Sequence, residues 1–154
     1  MYKQKDGYGC GLYAVANACN LPESFITPER LEASRIPGST NGGLSKLMQE
    51  DGFDFYMQPL FYDPNTKSLP ETQTKYSVTG DVIAMPLVLY VTLSEGGLSH
   101  MIGAHLDKSG ILHVYDSLKN EPFETTLDLI DLYYHSVFGI YSFCDIKNGD
   151  YAFL

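Results

Sequence analysis

The chain has 154 residues, the size of one ordinary domain, and 44% are hydrophobic, with 12 Tyr and 8 Phe supplying core material in the absence of Trp. Its net charge of −9 counts against a nucleic-acid partner, since phosphates would be repelled and no cluster of Lys or Arg offsets the repulsion. No apolar run approaches the ~20 residues that cross a bilayer, and Met1-Tyr2-Lys3-Gln4 opens no signal peptide, so the expectation is one cytoplasmic domain over residues 1–154 with no membrane segment.

The first eleven residues carry the strongest signal. They include Gln4-Lys5-Asp6-Gly7-Tyr8-Gly9-Cys10-Gly11, followed at once by the apolar Leu12, Tyr13, Ala14, Val15, Ala16, Ala18 and Cys19. This predicts a glycine-rich loop that delivers a thiol to the start of a buried helix, running from about Cys10 to Asn20 and ended near Pro22. A helix N-terminus favours thiolate over thiol. The side-chain amide of Gln4 and the N–H of Cys10 could together stabilise a developing oxyanion. Asn17 reads as a buried hydrogen-bonding residue of this helix, and Asp6 equally as a residue within reach of the site or as a solvated loop charge. Cys10 and Cys19 stand ~13 Å apart if both lie on one helix, beyond disulfide reach. Cys19 and Cys144 read as small buried hydrophobes. Without a Cys-x-x-Cys pair, no structural zinc or other metal is expected.

Thr27 as N-cap, Pro28 at the first position and Glu29 in the first turn predict a second helix to about Ser34. Leu44, Leu47 and Met48 predict a third, stopping at Gly52. Strands dominate afterwards. Phe53, Phe55 and Met57 alternate in a short one, residues 62–80 form a long loop with a short strand near Tyr76-Ser77-Val78, and residues 87–93 form the clearest strand, with Pro86 at its start. Two more, at about 99–106 and 111–116, are joined by Asp107-Lys108-Ser109-Gly110. A last helix fits Leu127, Ile130, Leu132 and Tyr133, capped by Thr125 or Thr126, and a final strand covers Gly139 to Cys144. Helices first and then mainly antiparallel strands is an α+β pattern.

A thiolate nucleophile needs a base, and a histidine base needs an orienting acceptor. If Lys108-Ser109-Gly110 is a three-residue turn with Gly110 left-handed, Asp107 pairs with Ile111. His100 and Asp116 then share one face as diagonal neighbours, within hydrogen-bonding reach. Ile102, Ala104, Leu106, Leu112 and Val114 occupy the same face, so the polar pair sits at the rim of a core. A register shifted by one residue would separate the two. His105 lies opposite His113 on the other face and reads as an exposed pair, while His135 is explained by packing or exposure.

These residues resemble the papain-like cysteine peptidases. The spacing of Gln4, Cys10 and Gly11 matches that superfamily's oxyanion glutamine and nucleophile, and His100 and Asp116 follow in its chain order. Within it the chain is most similar to the double-glycine peptidases that trim bacteriocin precursors. That likeness includes Gly43-Leu44-Ser45 opening a helix, the strand after Pro86 that leads to Ser99-His100, and Gly110 in the turn before Asp116. The chain departs from that group in having Gly9 before the nucleophile where Asp is usual, and Ser117 after Asp116 where Pro is usual. Ubiquitin C-terminal hydrolases share the order of the four residues.

The resemblance implies a papain-like fold, with the nucleophile on a central buried helix packed against the sheet. It implies a cysteine peptidase that hydrolyses a peptide or isopeptide bond with Cys10, His100, Asp116 and Gln4 and without a cofactor. Its substrate would be a peptide or protein, including one with a Gly-Gly or ubiquitin-like tail. The competing expectations are an acyltransferase of transglutaminase type with the same residues, and a catalytically silent binding module on the same scaffold. A phage or viral source is compatible with all three.

Overall fold

A computed structural model describes residues 1–5, 7–33, 41–53, 55–63, 65–66, 69, 77–79 and 82–145. Its elements run α1 (Cys10–Cys19), α2 (Pro28–Ala33), α3 (Asn41–Glu50), β1 (Phe55–Pro59), β2 (Ser77–Thr79), β3 (Val82–Thr92), β4 (Ser99–Asp107), β5 (Leu112–Tyr115), β6 (Phe123–Thr125) and β7 (Ser136–Asp145). The strands form one sheet in the order β1-β7-β3-β4-β5-β6, with β2 paired to β3, and every pairing is antiparallel. The architecture is α+β. Among the described residues no helix is long and apolar enough to cross a membrane.

The sheet is packed on both faces. On one, α1 and α3 contribute Leu12, Val15, Leu44 and Met48 against Met57, Val88, Met101 and Phe143. On the other, Leu87, Leu89, Ile102, Ala104, Leu112, Val114 and Ile140 pack with Ile130 and Tyr134. Double coverage explains why residues 87–93 show no polar alternation, since each face of β3 meets core. Asn20, at φ 55, ends α1 in the left-handed conformation, one that asparagine adopts at helix ends. Thr27 Oγ1 accepts the N–H of Arg30 at the start of α2, as an N-cap should.

Two expectations are corrected. Pro86 lies inside β3 rather than at its start, opposite His105. Its other edge falls between Ala84, the last partner of β2, and Leu87, the first partner of β7, so no ladder on that side asks for the missing N–H.

The predicted last helix is only a 3-10 turn, Ile130–Leu132. The strand order sets β6 and β7 four spacings apart, roughly 19 Å, whereas a helix through all of residues 126–135 would advance only about 15 Å. The crossing chain is therefore more extended, buries Ile130 and Tyr134, and leaves Leu132 77% exposed. Most of the long loop at 62–80, Ser34 and Asp6 lie outside the described residues, as does the side chain of Cys144.

Candidate active site

The hairpin between β4 and β5 has the register that the turn chemistry predicts. The Asp107 N–H bonds to the Ile111 carbonyl at 2.9 Å, Gly110 has φ 86, and Ala104 pairs with Val114 and Leu106 with Leu112. Pairing ends at Gly103 with Tyr115, so the first residues of β4 run on past the end of β5. His100, buried where β4 pairs with β3 alone, meets the chain that turns away after Tyr115. There its Nε2 lies 2.8 Å from Asp116 Oδ1.

Asp116 is 2% exposed and is held by more than His100. Tyr134 donates its hydroxyl to Oδ2 at 2.5 Å, and the Leu118 N–H reaches Oδ1 at 3.0 Å. Burial alone would raise the carboxyl pKa; the bonds from His100, Tyr134 and Leu118 outweigh it and hold the group below its ordinary range. The same contest runs in the opposite sense at His100. Burial lowers its pKa, but hydrogen bonds to Asp116 and to Cys10, with the charges of both, carry it up to about 9. Because Asp116 occupies Nε2, Nδ1 is the ring nitrogen left to face the sulfur.

Cys10 is the first residue of α1 and only half-buried, whereas the rest of that helix is buried. Cys19, at its other end, is fully enclosed, and burial pushes its thiol well up. The position of Cys10 follows from how α1 is anchored. Asn17 Oδ1 accepts the Tyr2 N–H at 2.7 Å, and its Nδ2 donates to the Tyr2 carbonyl at 3.1 Å. Tyr2 in turn donates its hydroxyl to the Leu21 carbonyl. At the sheet, His105 Nε2 donates to the Ala18 carbonyl at 2.8 Å, and Tyr115 donates its hydroxyl to His105 Nδ1 at 3.2 Å.

His105 therefore pins α1 to the sheet and is not half of an exposed pair; burial lowers its pKa and keeps it neutral. His113 turns instead to Asp107, at 2.9 Å. Both lie on the face opposite His100, as expected, but for His105 that face is helix-covered. Among the described residues no group of three or more His, Cys, Asp or Glu side chains is placed to hold a metal ion.

Gln4 is tied into the same assembly. Its N–H donates to the Ser117 carbonyl at 2.8 Å, and the Ser117 hydroxyl donates to Gln4 Oε1 at 2.9 Å. Gln4, Ser117, Asp116, His100 and Cys10 thus form one connected chain from the N-terminal segment, the turn after β5, β4 and α1.

Sequence reasoning missed Ser117 and Tyr134. The signal for Ser117 was its adjacency to Asp116. Tyr134 offered none, since its burial depends on the extended crossing to β7. Tyr90 was missed as well. It lies on the helix-covered face among Phe138 and Tyr141, its hydroxyl is buried without a partner among the described residues, and burial, with the charges of Tyr141 and Cys10, raises its pKa.

No protein-family model matches this chain, and no curated protein matches it. Chemically, the arrangement joins a sulfur at a helix N-terminus to an imidazole able to hold a proton at neutral pH, with a buried carboxylate fixing the far side of the ring. Such a set can add a thiolate to an electrophilic carbon and return a proton to a leaving group.

Proposed function

We propose that the protein is a cysteine peptidase of papain-like fold, cutting a peptide or isopeptide bond with Cys10 as nucleophile. The observation that carries this reading is the contact series from Cys10 to His100 to Asp116, with its 2.8 Å imidazole–carboxylate bond enclosed in the core. Cys10 Sγ attacks the carbonyl carbon, and its proton resides on His100. The negative charge moves to the carbonyl oxygen, where the Cys10 N–H and the amide of Gln4 are the donors. His100 then protonates the departing amine as the C–N bond breaks. With a pKa of about 9 it carries that proton at neutral pH. Water attacks the thioester, gives a proton to His100, and frees Cys10.

A peptidase needs a nucleophile, a base, an orienting carboxylate and an oxyanion donor together, whereas a binding module has use for none of them as a set. The substrate class proposed is a peptide or protein, including one with a Gly-Gly or ubiquitin-like tail. Incubation with peptides and conjugates of that kind should give cleavage that disappears in Cys10→Ala. Addition of a primary amine separates hydrolysis from transfer, because a transferase would yield the amide of that amine as its main product. Absence of cleavage and of amide formation across such a panel, with Cys10 intact, would count against both enzyme readings.

A further inference from the structure

A buried carboxylate orients an imidazole best while both of its oxygens are satisfied, because an unpaired oxygen in the core favours rotation or protonation of the group. Asp116 Oδ1 accepts from His100 Nε2 at 2.8 Å and from the Leu118 N–H at 3.0 Å. Oδ2 has a different donor, the Tyr134 hydroxyl at 2.5 Å. The sense of that bond is fixed from both ends. Burial, then the bond to Asp116 and its charge, raise the Tyr134 pKa, so the hydroxyl keeps its proton. Against the cost of burial, the bonds from His100, Tyr134 and Leu118 hold Asp116 below its ordinary range, so it remains an acceptor. We propose that Tyr134 is a positioning residue that occupies Oδ2 of Asp116, reserves Oδ1 for His100 Nε2, and so leaves Nδ1 facing Cys10. The proposal rests on the cysteine-peptidase reading above.

Tyr134 is itself held from both sides, as a positioning group must be. The 3-10 turn before it buries Ile130, whose carbonyl accepts the Tyr133 N–H at 3.0 Å. The Tyr133 ring packs on Phe123 with centroids 4.5 Å apart. On the other side, the His135 N–H bonds to the Thr92 carbonyl at the end of β3, at 2.9 Å. The crossing from β6 to β7 therefore delivers one hydroxyl to the core at a fixed place. Among the described residues, the titratable groups facing Asp116 are His100 from β4 and Tyr134 from this crossing, with Cys10 of α1 beyond the imidazole. Lys119, in the turn after β5, places its Nζ 6.0 Å from the centre of the Tyr134 ring.

Tyr134→Phe keeps the ring and removes the bond to Oδ2. Iodoacetamide addition at Cys10 at pH 7, in which sulfur displaces iodide, should slow about tenfold. The ring-nitrogen resonances of His100 should show it losing its proton at lower pH than in wild type, where the midpoint is about 9. In an Asp116→Ala background, Tyr134→Phe should change the alkylation rate by no more than about twofold, since no carboxylate is left to orient. Tyr133→Phe, which alters the exposed neighbouring ring, should match wild type in both measurements.

A Tyr134→Phe protein that melts lower but alkylates and titrates like wild type would overturn the proposal, because the hydroxyl would then only support the fold. A further slowing in the Asp116→Ala background would overturn it as well. The wild-type protein supplies a measurement that needs no variant. The Tyr134 hydroxyl proton, bonded to the same carboxylate as His100, should shift as the imidazole gives up its proton at about pH 9. A resonance indifferent to that step would also overturn the proposal. Suppose instead that Cys10 alkylates no faster in wild type than in His100→Ala, while the His100 midpoint still falls in Tyr134→Phe. That result would sink the peptidase reading and leave Tyr134 as the group that positions the imidazole.

Discussion

Asp116→Ala is expected to slow alkylation of Cys10 and any turnover by about 10³-fold, because one carboxylate answers three buried or half-buried donors. Its removal leaves His100 Nε2, the Tyr134 hydroxyl and the Leu118 N–H without their acceptor. His100 loses the partner that most raises its pKa, while the burial that lowers it remains, so the variant ring holds its proton less tightly than the wild-type ring. Asp116→Asn keeps an acceptor of the same shape for Nε2 and should lose less.

The pH dependence has a definite sign. His100 is raised from its ordinary 6.5 to about 9, so its contribution to stability is complete below pH 6.5 and disappears as pH rises through about 9. Asp116 is lowered from 3.8, so its contribution is present above pH 3.8 and is lost as pH falls through the lowered value. The difference in melting temperature between wild type and Asp116→Ala should therefore be largest between those limits and shrink toward pH 10. A difference that holds constant from pH 6 to pH 10 would contradict this account of the pair.

Gly103→Ala is expected to lower stability by about 3 kcal/mol and the melting temperature by roughly 6–12 °C. A Cβ at that position would stand 2.5 Å from the Ala14 carbonyl oxygen, 3.0 Å from the Ala18 nitrogen and 3.3 Å from the Asn17 Cβ. The first two are backbone atoms of α1 that cannot turn aside as a side chain does. The helix must lift from β4, and its first residue is Cys10. Moving a reacting atom by about 1 Å can cost 10²-fold in rate, so alkylation of Cys10 should fall together with stability. Gly7→Ala is the control, because the space around that position is open. A Gly103→Ala protein that melts and reacts like wild type would show that α1 does not rest on β4 as described.

The parts of the site that were legible in the sequence depend on short-range geometry. Gly110 permits one turn, the turn sets one register, and the two-residue period of a strand then places His100 and Asp116 on the same face. The apolar run after Cys10 likewise specifies a helix buried almost all round.

What was not legible depends on the strand order. The crossing from β6 to β7 carries apolar residues at helical spacing, yet the distance it must cover forces it out of a helix and brings Tyr134 to Asp116. The covered face of His105 became visible only once α1 was known to lie across Gly103 and His105. Pairing of Gln4 with Ser117, far apart in the chain, was equally hidden.

The central claim is that Cys10 is a nucleophile because His100 stands beside it. The most direct measurement is the rate of iodoacetamide addition at each cysteine at pH 7, resolved by peptide mass spectrometry, in wild type and in His100→Ala. Cys10 should react at least tenfold faster than Cys19, which is enclosed and carries a raised pKa. That rate should fall by an order of magnitude or more in His100→Ala, in a protein that still folds. A rate at Cys10 that His100→Ala leaves unchanged would contradict the account.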